Sequence, residues 1–271
     1  MKLRISAKLA WRELRGGLGG FRILIACLAL GVAAIAAVAS VKTGIEAGLK
    51  AEGATLLGGD AEAEFTYRFA SKNERTWLEN ISLKISEVAD FRSMIVVQRE
   101  DVFERALTQI KAVDKNYPLS GEVVLKNGLE LSVALTEKDG VDGVVMESVL
   151  ADRLGLQVGD SLKIGTQKLF LGGILQSFPD AAGDEFSLGP RTIVYTTSLE
   201  KSGLLEPGTF FSSKYRLDLA DNTDLDDIAI QAQDEFANSG LRWRDGRNGA
   251  PGIAGFIDRL GTFLVLSLIH I

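Results

Sequence analysis

The feature that most constrains this chain is an apolar run without a single charge, ILIACLALGVAAIAAVASV, which occupies residues 23–41 between Arg22 and Lys42. An α-helix rises about 1.5 Å per residue, so this run would extend for roughly 28 Å. The hydrocarbon core of a bilayer is about 30 Å thick. The run therefore predicts a transmembrane helix over residues 21–42.

The distribution of charge around this run predicts its orientation. The chain has 30 basic and 36 acidic residues, a net charge of −6, yet residues 1–22 hold six cations and one acid. Positively charged flanks are retained in the cytoplasm. We therefore expect the N-terminus inside the cell and the acidic remainder, with a net charge of −11, outside it. Such an acidic region does not suit nucleic acid, because binding requires cations that neutralise phosphates.

Residues 1–41 admit three interpretations. A secretory signal peptide would be cleaved near Ala37-Val38-Ala39, but its basic region would be unusually long and has a helical pattern of its own. A lipoprotein signal ending at Cys27 would leave only four apolar residues after Arg22, too few for its apolar region. An uncleaved transmembrane anchor fits best. It would follow an amphipathic helix and a Gly-rich elbow over residues 1–20, whose basic face suits an anionic membrane surface.

The region after the anchor alternates strand and helix signals. Residues 60–69 alternate apolar and polar side chains, which predicts a strand. Ser71 and Glu74 have the spacing of a capping box, so a helix should begin there. Its apolar side is expected to include Trp77, Leu78, Ile81, Ile85 and Val88. Strands over residues 91–98 and 106–113 would complete a β-α-β-β unit.

A second unit of similar type is predicted near the other end. It would consist of a strand over 214–220, a helix capped by Asn222 or Thr223 and ending at about Asn238, and a strand over 241–245. The middle section, about 115–205, has different signals. Asn127-Gly128 indicates a hairpin, MESVLADRLGLQVGDSLKIG a short helix, a turn and a strand, and QKLFLGGIL and RTIVYTT two more strands. We interpret this section as a small β-rich insert.

The sequence offers little for catalysis. Its only histidine is His270 and its only cysteine is Cys27, so the region between them cannot build a histidine-dependent triad or an ordinary zinc site. Two acidic clusters remain, formed by Asp180, Asp184 and Glu185 and by Asp221, Asp224, Asp226 and Asp227. We expect the first to be a solvated loop and the second to complement a helix dipole. No catalytic, cofactor-binding or metal-ligating residue is assigned, and an extracytoplasmic hydrolase is the weakest functional alternative.

Five segments, in order along nearly the whole chain, resemble the FtsX-like, MacB-type permeases of ABC transporters, and among them the YbbP-like permeases. The first resembles the N-terminal elbow and first span of that family. The second resembles the start of its periplasmic domain, and the other three resemble the core of that domain. The segments are residues 10–38, LLGGD at 56–60, VDKNYPLSGEVVL at 113–125, DRLGLQVGDSLKIG at 152–165 and FPDAAGDEFSLGPRTIV at 178–194.

The resemblance implies an α+β fold: an N-terminal transmembrane helix, a MacB-like periplasmic core domain in which two β-α-β units flank a β-rich insert, and the start of a second transmembrane helix. The implied boundaries are 1–20 for the cytoplasmic helix and elbow, 21–42 for the first span, 43–255 for the periplasmic domain, with its insert at about 115–205, and 256–271 for the start of the second span.

The resemblance also implies a non-catalytic permease subunit in the bacterial inner membrane. The chain contains no P-loop, G-x-x-x-x-G-K-[ST], so ATP hydrolysis is expected on a separate cytoplasmic ABC ATPase. The subunit would convert closure of that ATPase into a periplasmic movement that exports or extracts hydrophobic or envelope lipid-type substrates. Its other implied contacts are the lipid membrane and, as an option, a periplasmic partner protein; no cofactor and no nucleic acid are implied. The rival hypothesis is a signal-anchored extracytoplasmic binding or scaffold domain without a transport partner.

The last apolar stretch, LGTFLVLSLIHI at residues 260–271, is too short to cross a bilayer. A span needs about 20 apolar residues, and only Leu260–Ile269 precede His270. A helix that ended inside the bilayer would leave carbonyl groups unsatisfied, at several kcal/mol each. We therefore expect the native gene to continue beyond about Ser267 with further spans, and LSLIHI resembles the translation of a sequencing adapter.

We expect residues 23–41 to stay in the mature protein as a transmembrane helix. After extraction with alkaline carbonate the chain should remain in the membrane pellet. A variant with Leu28→Arg and Leu30→Arg should be released, because each arginine at the centre of a span costs about 3 kcal/mol. A soluble product of the unaltered chain that begins near Ser40 would contradict this expectation.

Overall fold

The computed structural model describes residues 22, 25–26, 28–33, 36–37, 39–41, 43–44, 48, 53–99, 102–181, 189–200, 202–206, 208–220, 223–236, 239–246, 259 and 262. The chain divides into a larger unit, Leu49–Pro251, and a second unit formed by Met1–Gly48 with Gly252–Ile271, in which every described residue is helical. Within the described ranges no helix combines the length and hydropathy that a membrane crossing needs. The predicted helix and elbow at 1–20 lie outside the described residues, and the predicted spans at 21–42 and 256–271 are described only in part.

The larger unit alternates strands with short helices. Its described strands are β1 (Ala61–Thr66), β2 (Lys84–Arg99), β3 (Val102–Val113), β4 (Val124–Leu125), β5 (Asp142–Glu147), β6 (Ser161–Ile164), β7 (Gln167–Ser177), β8 (Arg191–Tyr195), β9 (Phe211–Asp218) and β10 (Arg242–Asp245). Its α-helices are α1 (Lys72–Ile81), α2 (Leu131–Leu135), α3 (Ser148–Arg153) and α4 (Leu225–Phe236), and residues 53–57 are helical as well. Two 3-10 turns, Pro179–Ala181 and Thr196–Leu199, follow β7 and β8.

The described strands form one sheet in the order β10-β1-β9-β2-β3-β8-β5-β7-β4. β6 pairs with both β7 and β2, and this closes a ring through β2, β3, β8, β5, β7 and β6. β2 belongs to two parts of the sheet: residues 84–91 pair with β9, and Ile95 and Val96 pair with β6. We call β10, β1, β9 and the first half of β2 the open sheet, and the six closed strands the ring.

Three apolar cores hold these parts together; one of them lies around α2 and includes Val88, Leu135 and Ile193. α1 and α4 cover one face of the open sheet, where Leu78 and Ile228 pack against Phe65, Tyr215 and Leu217. The interior of the ring is filled by side chains from its strands together with α3 and the residues after it, among them Ile95, Ile110, Met146, Leu150, Leu162 and Leu169. Burying one such side chain contributes about 1.5–3 kcal/mol, so each part has a core of its own.

The helix signal at Ser71 is confirmed, but its predicted extent is wrong. The Ser71 Oγ accepts from the backbone N–H of Glu74, and Glu74 Oε2 accepts from the backbone N–H of Ser71. The helix ends at Ile81, and Ile85 and Val88 lie on β2 instead. Ser82 is extended, and β9 then supplies backbone partners for residues 84–91. Pairing in the sheet thus overrides the helical spacing of the apolar residues.

The second predicted β-α-β unit is present. The strands predicted over 214–220 and 241–245 correspond to β9 and β10, and the helix between them is α4, Leu225–Phe236; its predicted end at about Asn238 lies outside the described residues. The strand predicted over 60–69 corresponds to β1, Ala61–Thr66. The strands predicted over 91–98 and 106–113 are the distal parts of the longer β2 and β3.

The middle section contains the predicted helix and strands, but the predicted hairpin is wrong. α3, β6, β7 and β8 occur where the sequence indicates them. Asn127-Gly128 does form a turn, with Gly128 at a φ of 68°, but it follows a strand of two residues and leads into α2. α2 forms because Leu131, Ala134 and Leu135 are buried in the adjoining core. Strands of the predicted insert pair with β2 and β3.

Glu74 generates a prediction about acid stability. Arg68 donates to both of its carboxylate oxygens at 2.7 Å. Burial alone would raise the pKa of Glu74, but hydrogen bonds from Arg68 and Ser71 outweigh it and lower the pKa from 4.5 to about 2. The contribution of Glu74 to stability is therefore complete above its unfolded-state pKa and is lost as the pH falls from about 4.5 to about 2.

We expect Glu74→Gln to lower the free energy of unfolding by about 2 kcal/mol at pH 7, because hydrogen bonds to a charged group are lost. The difference from the unaltered chain should shrink between pH 4.5 and pH 2.5. Urea unfolding at both pH values measures it, with Glu79→Gln on the exposed side of the same helix as the control. An equal difference at the two pH values would contradict the assignment.

Candidate functional site

The face of the open sheet that points away from α1 and α4 is charged yet buried. Side chains alternate between the two faces of a strand, so these residues lie opposite the apolar core. Glu62 on β1 faces Arg216 on β9, Glu64 faces Lys214, and Asp90 on β2 faces a lysine on β3. The residues of this charged face are Glu62, Glu64, Asp90, Lys111, Lys214 and Arg216, each at most 7% exposed.

Asp180 lies at the centre of this face. It belongs to the turn Pro179–Ala181, which follows β7, and is only 1% exposed. Its Oδ2 accepts from Lys111 Nζ at 2.6 Å and lies 2.5 Å from Arg216 Nη2. Its Oδ1 accepts from the Tyr117 hydroxyl at 2.7 Å. One carboxylate therefore joins β3, β9, the loop after β3 and the turn after β7.

The charge states around Asp180 follow from burial and from neighbouring charge. Burial raises the pKa of Tyr117 well above its usual value, and the negative charge of Asp180 raises it further. Tyr117 therefore stays protonated and donates a hydrogen bond to Asp180. Burial would lower the pKa of Arg216, but the charges of Asp180 and Glu62 outweigh it and raise that pKa. Arg216 thus stays a cation.

Further ion pairs surround this centre. Asp90 lies 2.9 Å from Lys214 Nζ and 3.6 Å from Lys111 Nζ. Glu62 lies 3.5 Å from Arg216 Nε and 3.9 Å from Arg244 on β10. The ionic cluster, as we name it, contains four carboxylates and four cations: Glu62, Glu64, Asp90, Asp180, Lys111, Lys214, Arg216 and Arg244. Such pairing offsets the large cost of burying isolated charges.

Residues 53–60, which we call the leading segment, cover part of the cluster. Gly58 has a φ of 81°, and a Cβ at this position would lie 2.9 Å from Arg216 Cδ and 3.3 Å from Asp180 Cβ. The segment also meets the chain that leaves β10. A Cβ on Gly53 would lie 1.9 Å from the carbonyl oxygen of Gly246, and Gly246 N–H donates to Asp60 O at 2.8 Å. The two connections of this domain, which are the leading segment before β1 and the chain that leaves β10, therefore lie side by side.

This arrangement holds segments in place. The carboxylates of the ionic cluster lie against cations of the protein, and the Tyr117 hydroxyl donates a hydrogen bond to Asp180. Across the described ranges, no three His, Cys, Asp or Glu side chains are grouped as a metal site requires. The chemistry of the cluster is that of a joint between the turn after β7, the open sheet and the leading segment.

The structure corrects the prediction for the first acidic cluster. The expected solvated loop is wrong for Asp180, which is buried and fully engaged. Pro and Gly around it indicated an exposed turn, but Lys111 and Arg216 draw the carboxylate onto the sheet. Asp184 and Glu185 lie outside the described residues.

The second acidic cluster lies at a helix start, as predicted. Asp226 and Asp227 are in the first turn of α4. The observed cap is Asp224, one residue after the predicted Thr223: its Oδ1 accepts from the N–H groups of Asp226 and Asp227 at 2.9 and 3.3 Å. Asp221 and Asn222 lie outside the described residues.

Sequence reasoning missed the remaining members of the ionic cluster, although a signal was present. Three strand segments carry like charges two residues apart, which places both charges on one face. β1 has Glu62 and Glu64, whereas its two neighbours have cations, Lys214 with Arg216 and Arg242 with Arg244. The alternation of charged with apolar residues was used only to predict strands; the complementary signs on separate strands indicate that the charged face is buried.

The fold and the cluster together define a class: a mixed α/β domain in which an open sheet runs into a ring of strands, with buried ion pairs at the junction. The chain belongs to the family of the MacB-like periplasmic core domain, whose model matches residues 23–238. This is the type of periplasmic domain that ABC transporter permeases carry.

Individual relatives agree with this family. The chain is 25% identical over 214 residues to the protein named "Uncharacterized ABC transporter permease YbbP" from Escherichia coli K12, a match that covers 78% of this chain and 24% of that relative. The chain thus spans about a quarter of the length of this curated relative.

Among solved structures, the periplasmic region of MacB from Actinobacillus actinomycetemcomitans matches with a TM-score of 0.45 and 13% identity, covering 72% of this chain and 93% of that one. The extracellular domain of the noncanonic ABC-type transporter YknZ from Gram-positive bacteria matches with a TM-score of 0.43 and 13% identity, covering 68% and 98%.

We expect Asp180→Ala to be strongly destabilising, by about 3–5 kcal/mol, because it leaves Lys111 and Arg216 buried without their shared counter-ion. The control is Asp234→Ala on the exposed side of α4, which should change stability by less than about 0.5 kcal/mol. Denaturant unfolding of the solubilised chain measures both. A loss for Asp180→Ala no larger than that of the control would show that the joint does not depend on this carboxylate.

Proposed function

We propose that this chain is the permease subunit of an ABC transporter, which couples a separate cytoplasmic ATPase to a movement of the periplasmic domain. The observation that carries the proposal is the family match, because it includes both the apolar run and the domain. The movement would serve the export or extraction of hydrophobic or envelope lipid-type substrates. In this proposal ATP is hydrolysed by the partner, and the chain contributes no catalytic residue.

The proposal assigns each region of the chain a place. Residues 1–20 lie at the cytoplasmic face of the inner membrane, residues 21–42 form the first span, residues 43–255 are periplasmic and residues 256–271 begin the second span. The net charge of +5 on residues 1–22 supports this orientation. The description of the E. coli relative as an ABC transporter permease supports the ATPase partner.

The geometry of the domain supports a mechanical relay. Its two connections touch at Gly53 and Gly246, so a displacement of one relative to the other acts on both ends of the domain at once. The leading segment then passes over Arg216 and Asp180 at Gly58. A shift of this segment must therefore either carry the turn after β7 with it or break the central ion pairs. Interlocked contacts of this kind favour discrete arrangements over gradual deformation.

The test compares two glycine variants of the full gene product, each expressed with the ATP-binding protein encoded nearest to its gene. In Gly53→Ala the new Cβ meets the carbonyl oxygen of Gly246, so the two connections must separate; in Gly246→Ala the nearest atom lies at an ordinary 3.5 Å. We expect the complex to hydrolyse ATP and the isolated chain not to. Gly53→Ala should lower that activity severalfold at unchanged assembly, whereas Gly246→Ala should leave it unaltered.

Other outcomes would contradict the proposal. ATP hydrolysis by the pure chain would contradict the assignment of this reaction to a separate ATPase. If no ATPase co-purifies from a detergent that preserves known transporter complexes, the result would favour the rival hypothesis of a binding or scaffold domain without a transport partner. Equal activities for the two glycine variants would remove the contact of Gly53 and Gly246 from the mechanism.

A further inference from the structure

The charged face continues beyond the ionic cluster and emerges, uncovered, on the outside of the ring. Past Asp90 and Lys111, the outward positions of β2 and β3 form cross-strand pairs of Met94 with Leu107 and of Val96 with Arg105. Met94 is 42% exposed and Leu107 48%. Two large aliphatic side chains therefore lie together on a solvent-facing sheet surface, next to a partly exposed valine.

Cations surround this apolar centre. One row runs across four neighbouring strands: Arg105 on β3 pairs with Val96 on β2, Val96 with Lys163 on β6, and Lys163 with Lys168 on β7. Arg92 lies two residues before Met94 on the same side of β2. All four cations are exposed. We name this surface the basic–apolar face; it consists of Arg92, Met94, Val96, Arg105, Leu107, Lys163 and Lys168.

The positive charge of the basic–apolar face is unusual for this acidic chain. The protein has a net charge of −6. No acidic residue, however, occupies the outward positions of the four strands at this place, which are residues 92, 94, 96 and 98 of β2, 103, 105, 107 and 109 of β3, 161 and 163 of β6, and 168 and 170 of β7. Glu104 alternates to the opposite side of β3 and lies 3.8 Å from Arg99. The cations of the face are therefore not neutralised by a neighbouring carboxylate on these described strands.

The backbone around the face narrows the kind of ligand. β2 pairs with β3 and β6, and β6 pairs with β7, so β2 and β6 offer no free edge at Val96 and Lys163. An extended peptide could not add itself as a further strand at these two residues, although strand addition is a common way for a sheet to bind peptides. Recognition there must use the side chains. Exposed aliphatic groups bracketed by cations favour a ligand that brings an apolar chain and a negative charge together.

We infer that the basic–apolar face binds an anionic amphiphile, with the apolar chain on Met94, Val96 and Leu107 and the negative headgroup between Arg105, Lys163 and Lys168. This inference rests on the proposed function in one respect, because it names the substrate class that the domain would contact. Its test needs no ATPase. If the face binds the amphiphile but no ATPase co-purifies with the chain, the inference stands and the proposed function falls. If an ATPase co-purifies but the face does not bind the amphiphile, the proposed function stands and the inference falls.

The test uses the whole chain, purified in a neutral maltoside detergent, and a decyl phosphate that carries a photoactivatable diazirine. A decyl maltoside with the same diazirine is the neutral match. Cross-linked residues are mapped by mass spectrometry. We expect saturable labelling of peptides that contain residues 92–109 and 161–170 by the phosphate probe only. Unlabelled decyl phosphate should compete, whereas inorganic phosphate should not.

Matched variants locate the site. Arg105→Gln with Lys163→Gln should weaken binding about 25-fold, since each cation near an anionic lipid contributes roughly fivefold. Lys115→Gln with Lys126→Gln, two exposed lysines elsewhere, should leave binding unchanged. Met94→Ser with Leu107→Ser should also weaken binding, because it removes the contact with the apolar chain.

Several results would overturn the inference. Equal labelling by the neutral probe would show a nonspecific apolar surface. Competition by inorganic phosphate or tetraglutamate as strong as that by decyl phosphate would show an anion or acidic-polypeptide site instead. If the Arg105 and Lys163 variant binds like the unaltered chain, the ligand lies elsewhere.

Discussion

The junction of this domain depends on one buried carboxylate shared by two cations. Without Asp180, Lys111 from β3 and Arg216 from β9 would lie in a low-dielectric interior with their principal counter-charge removed. The same carboxylate fixes the turn after β7 on the open sheet. Because Gly58 lies against both Arg216 and Asp180, the path of the leading segment is determined by this pair as well.

The second constraint is that β2 belongs to both the open sheet and the ring, while its side chains alternate between the same two faces along its whole length. One of its faces is mainly apolar: Ile85 packs on the side of α1, and Ala89, Phe91, Ile95 and Val97 belong to the core of the ring. Its other face changes character along the strand. At Asp90 it is covered, so every charge needs a partner; from Arg92 onward it is open to solvent, so cations can remain there without one. The ionic cluster and the basic–apolar face are thus two stretches of the same sheet surface.

Local signals in the sequence predict much of the fold, and long-range pairing explains what they miss. The capping box at Ser71 and the helix–turn–strand around α3 are specified by neighbours within a few residues, and both occur where expected. The end of α1 and the burial of Asp180 depend on strands far away in sequence. Lys111, for example, is 69 residues from Asp180. A Pro- and Gly-rich segment gives no local sign that its aspartate will be buried.

Ion pairs at the junction have a consequence that apolar packing would not have. Replacing buried pairs with well-packed apolar residues is often neutral or stabilising, so stability alone does not account for them. Apolar surfaces can slide past one another at small cost, whereas Asp180 loses short contacts to Lys111, Arg216 and Tyr117 when its turn moves by an ångström or two. A joint of this kind keeps the turn after β7 in one position on the open sheet until these ion pairs break. In the proposed relay, this property would pass relative motion between the segments that enter and leave the domain on to the ring as a whole.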